Sequence, residues 1–368
     1  MSDMRTPQTL ITPQVINSSL ELYKTRHIFM HDGRSIPRII QLHTMGSASR
    51  VAIIGVGEVG GAVAYSLALN SIASELLLVD LDLNLRNAQI EDLSDVIYST
   101  NSSTRVRPAT YREAAQSDLV VIAAASKHTL GKRILAFVTG LWFFQGQTTV
   151  DYTSRNTSMI REVMEAMKPF RPDTVLLVVA NPVDLLTSIA KDMSGLPPSQ
   201  VIGTGTTLDT YRLRGMVAFR ALVSPSAVDA FVVGRHGEDQ VVTWSSASIG
   251  AVPIADVQIF NALDRNRIEL ICKHRSQSII RGKGSAPFGI ASVAANLCCS
   301  VILDKHEVYP VSHFQEQYEC CLSMPDVIGR KGILSSVPLS LDAGEEDAVK
   351  ASGKLVKKSV ESIQRDWW

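Results

Sequence analysis

The chain has 368 residues, of which 45% are hydrophobic, and its 36 lysine and arginine residues balance its 36 aspartate and glutamate residues. This length allows one large domain or two domains with an ample core. Because the formal net charge is zero, no overall field attracts nucleic acid or an anionic membrane surface, and we expect neither as a partner.

The chain begins with a polar segment, residues 1–48, that has mixed charge and shows neither a helical nor a strand period. We predict that this segment is a flexible extension outside the fold. It lacks the basic flank and apolar stretch of a secretory signal. The most hydrophobic run of the chain, Ile134–Phe144, has eleven residues and is too short to span a bilayer. We therefore expect a soluble, cytoplasmic protein.

Residues Val51–Asp80 are predicted to form a strand, a glycine-rich turn, a helix and a second strand. The run Val51–Ile54 is rich in β-branched residues and leads into Gly55, Gly57 and Gly60. In a dinucleotide-binding turn, the first glycine permits the tight bend and the second lets the pyrophosphate approach the backbone. The third lets helix and strand pack closely. The N–H groups at the start of the helix would receive the phosphates.

Asp80 ends the second strand and follows Gly60 by twenty residues. A carboxylate at this position can accept hydrogen bonds from a ribose, whereas it would repel the 2′-phosphate of NADP. Strand, turn, helix, second strand and acid all agree, so an ordinary strand-to-helix turn is the weaker interpretation. The sequence therefore predicts that NAD binds here.

Strands and helices continue to alternate after Asp80, which indicates an α/β fold with a doubly wound parallel sheet. The apolar runs Leu119–Ala124 and Val175–Val179 fit central strands buried on both faces. Later helices and antiparallel-looking strands, among them Val228–Val233 and Gln240–Ile249, predict a second, α+β substrate domain. We place the NAD-binding domain at residues 49–204 and the substrate domain at residues 205–368.

Five cysteines lie in the C-terminal half of the chain, at Cys272, Cys298, Cys299, Cys320 and Cys321. An odd number with two vicinal pairs does not match a secreted disulfide framework, and the spacing of a zinc site is missing. We expect buried, reduced thiols and no metal site.

Three segments carry side chains suited to chemistry on a 2-hydroxy acid. Asn181 closely follows the apolar run that ends at Val179, at the carboxyl end of a strand, where open α/β sheets place their ligands. Asp209 and Arg212 lie one helical turn apart on one face of a predicted helix. His236 lies in a glycine-flanked turn after an apolar strand.

Hydride transfer from a hydroxy acid to NAD requires a base for the alcohol proton, a carboxylate that holds this base, and a cation for the substrate carboxylate. His236 suits the first role because imidazole titrates near neutral pH. Asp209 suits the second, since it can orient the ring and stabilise its charged form. Arg212 suits the third because a guanidinium grips a carboxylate through two parallel hydrogen bonds. Singly, each residue also has an ordinary structural explanation, as a turn histidine or a surface ion pair.

Together and in this order, these motifs closely resemble those of the L-lactate/malate dehydrogenase family, from about Arg50 to the C-terminus. The resemblance implies a Rossmann domain plus an α+β catalytic domain, assembled as a homodimer or homotetramer. It implies that His236 is the acid/base, Asp209 its partner and Arg212 the carboxylate clamp. Asn181 would touch both the substrate and the nicotinamide ribose. The residues that would contact NAD are Gly55, Gly57, Val59, Gly60, Asp80, Ala125, Asn181 and Thr204.

The mobile substrate loop of the family is interrupted in this chain. Residues 125–131 match its first half and residues 147–152 its second half, and fifteen residues, Lys132–Gly146, separate the two. One hypothesis is a retained intron, because Gly131–Lys132 can be encoded with a splice donor and Gln145–Gly146 with an acceptor in the same phase. The alternative is a genuine insertion in a variable loop.

Four further positions depart from the family pattern. With the insert removed, Thr149 occupies the position of the loop arginine. With the insert present, Arg133 lies one residue short of the family spacing and is the candidate substitute. The substrate-specificity position is His128, which is neither the glutamine of lactate enzymes nor the arginine of malate enzymes. Ala286 replaces a substrate-pocket threonine, and Ala125 replaces a glycine. The sequence thus predicts a lactate-like 2-hydroxyacid dehydrogenase, with a malate or other 2-hydroxyacid preference, or an impaired NAD-binding homologue, as alternatives.

Overall fold

A computed structural model describes residues 49–125, 132–133, 144–145, 149–257 and 264–367. The N-terminal extension, His128 and most of the insert lie outside the described residues, so the predictions about them stay predictions.

The first half of the described chain alternates strands with helices. Its elements are β1 (Arg50–Ile54), α1 (Glu58–Leu69), β2 (Glu75–Val79), α2 (Leu83–Thr100), β3 (Arg105–Pro108), α3 (Tyr111–Ala114), β4 (Leu119–Ile122), β5 (Lys132–Arg133), β6 (Phe144–Gln145), α4 (Thr149–Met167), β7 (Val175–Val178), α5 (Val183–Ser194), a 3₁₀ turn (Pro198–Gln200) and β8 (Val201–Gly203). The strands pair in parallel in the order β3-β2-β1-β4-β7-β8. This order is that of a doubly wound dinucleotide-binding sheet, as predicted.

The second half of the described chain is mixed helix and antiparallel strand. Its elements are α6 (Thr207–Ala221), a 3₁₀ turn (Pro225–Ala227), β9 (Val228–Asp229), β10 (Val232–Gly234), β11 (Gln240–Val242), a 3₁₀ turn (Trp244–Ser246), β12 (Ser248–Ile249), β13 (Val252–Pro253), a 3₁₀ turn (Ile254–Asp256), α7 (Arg265–Lys283), α8 (Pro287–Ile302), β14 (Glu307–Gln315), β15 (Cys320–Gly329), β16 (Gly332–Ser336) and α9 (Ala343–Trp367). Strands β14, β15, β10 and β11 extend the same sheet beyond β8.

Two strands predicted as continuous are divided. The run Val228–Val233 contributes β9 to a small sheet with β12 and β13, and β10 to the large sheet. The run Gln240–Ile249 is likewise divided into β11, a 3₁₀ turn and β12. A β-branched run favours extended backbone wherever it lies, so composition alone does not reveal that the chain passes from one sheet to another.

The central parallel strands are buried on both faces. Leu67 of α1 and Leu297 of α8 belong to the core cluster on one face, and Met164 of α4 and Ile189 of α5 belong to the cluster on the other. All four residues of β4 and all four of β7 are buried. The sequence-based expectation of central strands without a solvent-facing side is therefore confirmed for both runs.

One line of paired residues crosses the large sheet. The residues on it, in spatial order, are Ile54, Ile122, Val178, Gly203, Ser312, Ser323 and Gly234. Strands β1, β4, β7 and β8 end on this line, and β10 also ends on it from the opposite direction. The turns that follow these strands therefore start at one level of the sheet.

The glycine turn generates a test of the fold. A Cβ at Gly60 would overlap the carbonyl oxygen of Gly55, whereas a Cβ at Gly57 would meet no atom within 4 Å. We predict that Gly60→Ala lowers the free energy of unfolding by about 1–3 kcal/mol, the usual cost of overpacking. The matched control, Gly57→Ala, should leave thermal and urea unfolding close to the parent values. Equal stability of the two variants would contradict the packing role of Gly60.

Candidate active site

The glycine turn follows β1 at the carboxyl edge of the sheet. Gly55 has φ +84°, and a Cβ there would overlap the backbone of Ala124, so only glycine fits this close approach. Gly57 precedes the first residue of α1, and no side chain caps this helix end among the described residues. The first backbone N–H groups of α1 therefore face a space that an anion can enter. These residues fit the pyrophosphate of a dinucleotide.

Asp80 lies directly after β2 and holds the glycine turn. One carboxylate oxygen accepts a hydrogen bond from the Val56 N–H at 2.8 Å, and the other accepts one from the Asp82 N–H at 2.9 Å. Each oxygen keeps a second lone pair, so the carboxylate can still accept from ribose hydroxyls. Asp80 thus has a structural contact that sequence reasoning did not predict, in addition to a position that suits ribose binding.

Gln89 of α2 is a second support that sequence reasoning missed. Its side-chain amide donates to the Val56 carbonyl at 3.1 Å and packs against Gly61. Its separation of 33 residues from Val56 leaves no local spacing by which it could be found.

The remaining candidate cofactor residues lie on neighbouring strand ends. Thr204 follows β8 and is buried, and its N–H donates to the Val178 carbonyl at 2.9 Å. Asn181 is exposed three residues after β7. Ala125 is exposed three residues after β4, and Val59 is partly buried in the first turn of α1. The structure thus brings these positions to the same edge as the glycine turn.

Asn181 is supported from α4. Its carbonyl accepts a hydrogen bond at 2.7 Å from the side-chain amide of Asn156, which is fully buried. Asn156 lies on α4, the helix that begins at Thr149. The contact connects the end of the substrate loop to the strand end that carries Asn181.

Asp209, Arg212 and His236 converge. The Asp209 carboxylate is 2.6 Å from Nδ1 of His236 through one oxygen and 3.2 Å from Nη1 of Arg212 through the other. Asp209 is 1% exposed, whereas the His236 side chain is 25% exposed. A buried carboxylate therefore holds two cationic side chains, of which the imidazole can still be reached from outside.

The surroundings of His236 favour its protonated form. Burial lowers the pKa of His236, but the charge and hydrogen bond of Asp209, with a further contribution from Asp184, outweigh it and raise the pKa above the ordinary value. Burial lowers the pKa of Arg212, although Asp209 opposes this, and a guanidinium stays protonated at physiological pH. The site can hold a proton on imidazole beside a permanent cation.

The structure describes only some of the remaining predicted positions. His128 lies outside the described residues. The two ends of the insert pair as an antiparallel ribbon, with Lys132 opposite Gln145 and Arg133 opposite Phe144. Ala286 precedes α8 and is partly buried. The insert therefore leaves and returns to the loop at adjacent points.

All five cysteines are buried, as predicted, and the structure shows each of them as a free thiol. Within residues 49–125, 149–257 and 264–367, no group of three or more metal-ligating side chains is found. No helix in the described part of the chain has the length and apolarity needed to cross a bilayer.

Comparison with known proteins identifies the family. A model described as lactate/malate dehydrogenase, NAD binding domain, matches residues 49–203, and one described as lactate/malate dehydrogenase, alpha/beta C-terminal domain, matches residues 206–366. L-lactate dehydrogenase A of Rhizopus oryzae is 39% identical over 315 residues, which cover 85% of this chain and 92% of that protein. L-lactate dehydrogenase of Thermus aquaticus is 33% identical over 323 residues, 85% of this chain and 99% of that protein.

Solved structures agree with these relatives. The minor L-lactate dehydrogenase from Enterococcus mundtii, in a ligand-bound form, superposes with a TM-score of 0.78 and 26% identity. The match covers 86% of this chain and 99% of that chain. The two family models together span most of the chain, and the chain belongs to the lactate/malate dehydrogenase family.

Proposed function

We propose that this protein is an NAD-dependent L-2-hydroxyacid dehydrogenase that interconverts lactate and pyruvate by hydride transfer. The observation that carries the proposal is the contact of Asp209 with both His236 and Arg212, at the level of the sheet where the glycine turn begins. That arrangement offers a proton donor and a carboxylate-binding cation beside a dinucleotide site.

The residues divide the reaction between them. When bound, NADH supplies the hydride that reduces the carbonyl carbon of the 2-oxo acid. Because Nδ1 of His236 contacts Asp209, the imidazolium gives its Nε2 proton to the oxygen that becomes the hydroxyl. Arg212 grips the substrate carboxylate, and Asn181 would contact both the substrate and the nicotinamide ribose. In the reverse direction, neutral His236 accepts the alcohol proton.

The cofactor residues have separate tasks in this proposal. Gly57 would let the pyrophosphate approach the start of α1, while Gly55 and Gly60 shape the turn that receives it. Val59 would contact NAD, and Asp80 would accept from the adenosine ribose. Ala125 and Thr204 line the nicotinamide side. His128 reads the substrate side chain, which makes a 2-oxo acid other than pyruvate, or malate chemistry, the nearest alternative.

A second candidate function is that of an NAD-binding homologue with impaired catalysis. It rests on Thr149, which occupies the position of the loop arginine and offers no positive charge to polarise the substrate carbonyl. Loss of one such electrostatic donor costs on the order of 10²- to 10³-fold in rate. The insert, Lys132–Gly146, lies in the same loop.

We also propose the domain division at residues 49–204 and 205–368, a cytoplasmic location and a homo-oligomer.

Exposed apolar side chains at the C-terminal end of α6 support oligomerisation. Phe219, in the last turn of the helix, is 81% exposed, and Leu222, which directly follows the helix, is 91% exposed. We predict a dimer or tetramer by multi-angle light scattering. Phe219→Glu and Leu222→Glu should each shift the equilibrium toward smaller species, and a monomer in the parent protein would contradict this part.

The test of the proposed function is NADH oxidation with a panel of 2-oxo acids, using the full chain and a variant that lacks Lys132–Gly146. We expect NADH-dependent reduction, with the deletion variant faster because its loop has the family length. In the deletion variant, Thr149→Arg should raise kcat by about 10²-fold or more, because a cation again reaches the carbonyl.

Thr149→Gln serves as the size-matched control for this substitution, because it lengthens the side chain without adding charge. If neither the full chain nor the deletion variant turns over any 2-oxo acid while NADH still binds tightly, the proposal of an active enzyme fails. The proposal of an impaired NAD-binding homologue then remains. If the genomic codons lack GU and AG at the ends of the insert, the retained-intron hypothesis fails.

The raised pKa of His236 gives a pH prediction. Asp209→Asn removes the negative charge that outweighs burial, so the pKa of His236 should fall. The reduction of a 2-oxo acid needs the imidazolium, so the alkaline limb of kcat/KM against pH should move to lower pH. The rate should also fall by about 10²- to 10⁴-fold. The matched control is Asp229→Asn, an exposed aspartate on β9, and an unmoved limb in Asp209→Asn would contradict the pairing.

A further inference from the structure

Asp184 is a buried carboxylate that has no part in the reaction described above. It is 2% exposed and lies in the first turn of α5, three residues after Asn181. A buried carboxylate without partners is costly, so its contacts indicate what it does. The start of a helix also favours a negative charge, because the helix dipole is positive there.

The contacts of Asp184 lead to the histidine turn. One carboxylate oxygen accepts a hydrogen bond from the backbone N–H of His236 at 2.8 Å, and the other accepts one from the hydroxyl of Ser323 at 3.3 Å. Ser323 is fully buried and pairs with Gly234, the last residue of β10, in the sheet. Asp184 therefore holds both the histidine and the strand that leads into its turn.

The turn has a second buried anchor on its other side. The Arg235 N–H donates at 2.7 Å to the hydroxyl of Ser352, which lies on α9 and is 1% exposed. The two anchors differ in chemistry, because Ser352 is neutral whereas Asp184 carries a carboxyl group. Of these two anchors, only Asp184 accepts a hydrogen bond from His236 itself.

We propose that Asp184 is a positioning residue for His236: its carboxylate fixes the backbone from which the imidazole projects and places a second negative charge close to this residue. The inference rests on the proposed function only for its kinetic consequence. The placement itself follows from the hydrogen bond and the burial.

The titration behaviour of both groups supports this placement. Burial raises the pKa of the Asp184 carboxyl, while the N–H of His236 and the charge of its imidazolium oppose that rise. The carboxylate in turn contributes to the raised pKa of His236, after burial and Asp209. Each group therefore favours the charged form of the other.

The charged groups near the histidine turn, apart from Asp184, form pairs with one another. The charged groups that face it from α5, α6, α7 and the turn itself are Asp184, Asp209, Arg212, His274, Arg235, Glu238 and Asp239. Arg235 pairs with Asp239 at 2.8 Å, and Glu238 pairs with His274 at 3.4 Å. These two pairs are partly exposed, so solvent screens them, whereas Asp184 is not screened in this way.

Two substitutions separate the hydrogen bond from the charge. Asp184→Asn keeps an oxygen that accepts the His236 N–H but removes the negative charge. We expect it to retain most of kcat and to move the alkaline limb of 2-oxo acid reduction to lower pH by about one unit, the size of shift caused by a nearby unit charge. Asp184→Leu removes both, and we expect kcat to fall on the order of 10²-fold while NADH binding, followed by fluorescence, is unchanged.

The control is a second buried aspartate, which lies on a strand of the large sheet. Asp326 of β15 is fully buried and lies 2.8 Å from Nδ1 of His313, on a strand that does not lead into the histidine turn. Asp326→Asn should lower the melting temperature without moving the alkaline limb. Ser352→Ala tests the neutral anchor and should likewise leave the limb in place.

The pKa of His236 can also be measured without turnover. The rate at which diethyl pyrocarbonate modifies the peptide that contains His236, followed by mass spectrometry against pH, reports the neutral imidazole in the full-length protein. We expect a lower pKa in Asp184→Asn than in the parent protein and in Asp326→Asn. An equal pKa in all three would overturn the proposal, as would an Asp184→Leu variant with parental kcat. If no 2-oxo acid is reduced, the proposed function fails while this measurement still decides the role of Asp184.

Discussion

The register of one sheet determines where the two halves of the site meet. The glycine turn, the Asn181 strand end and the histidine turn all start on a single line of paired residues, and backbone hydrogen bonds fix the spacing between neighbouring strands at about 4.8 Å. The line is closely packed at Gly203, where a Cβ would overlap the hydroxyl of Thr187. A slip of one residue at any of these pairings would move the histidine turn relative to the cofactor edge and turn side chains to the opposite face.

Two helices each contribute a buried acid that contacts His236. Asp184 lies in the first turn of α5 and Asp209 in the first turn of α6. Both positions place a carboxylate at the positive end of a helix dipole, which offsets part of the cost of burial. The two acids act on different parts of His236, since one accepts from the backbone and the other contacts the ring. His236 is therefore held through its backbone by one helix and through its ring by another.

How much of this site the sequence predicts depends on the separation along the chain between the residues that contact one another. The glycine turn with Asp80, and the pair Asp209 and Arg212, occupy short segments whose spacing is visible in the chain, and the structure brings each set together. His236 was identified because a turn histidine after an apolar strand matched a family pattern.

Long-range contacts could not be predicted in this way. Asp184 lies 52 residues before His236 and Asn156 lies 25 residues before Asn181, so neither pairing leaves a local period or spacing. Asp184 lies three residues after Asn181 in the segment that follows β7, but only the folded sheet shows which backbone it supports. The division of Val228–Val233 between two sheets also depends on partners that its own composition does not specify.

The burial of the cysteines has a practical consequence. Burial raises the pKa of Cys272 and Cys321 to about 12 and that of Cys320 to about 11. Since thiols react with electrophiles as thiolates, these three cysteines are poor targets for maleimide or iodoacetamide while the protein is folded. One cysteine introduced at an exposed position would thus accept a fluorophore selectively, in an otherwise unaltered chain.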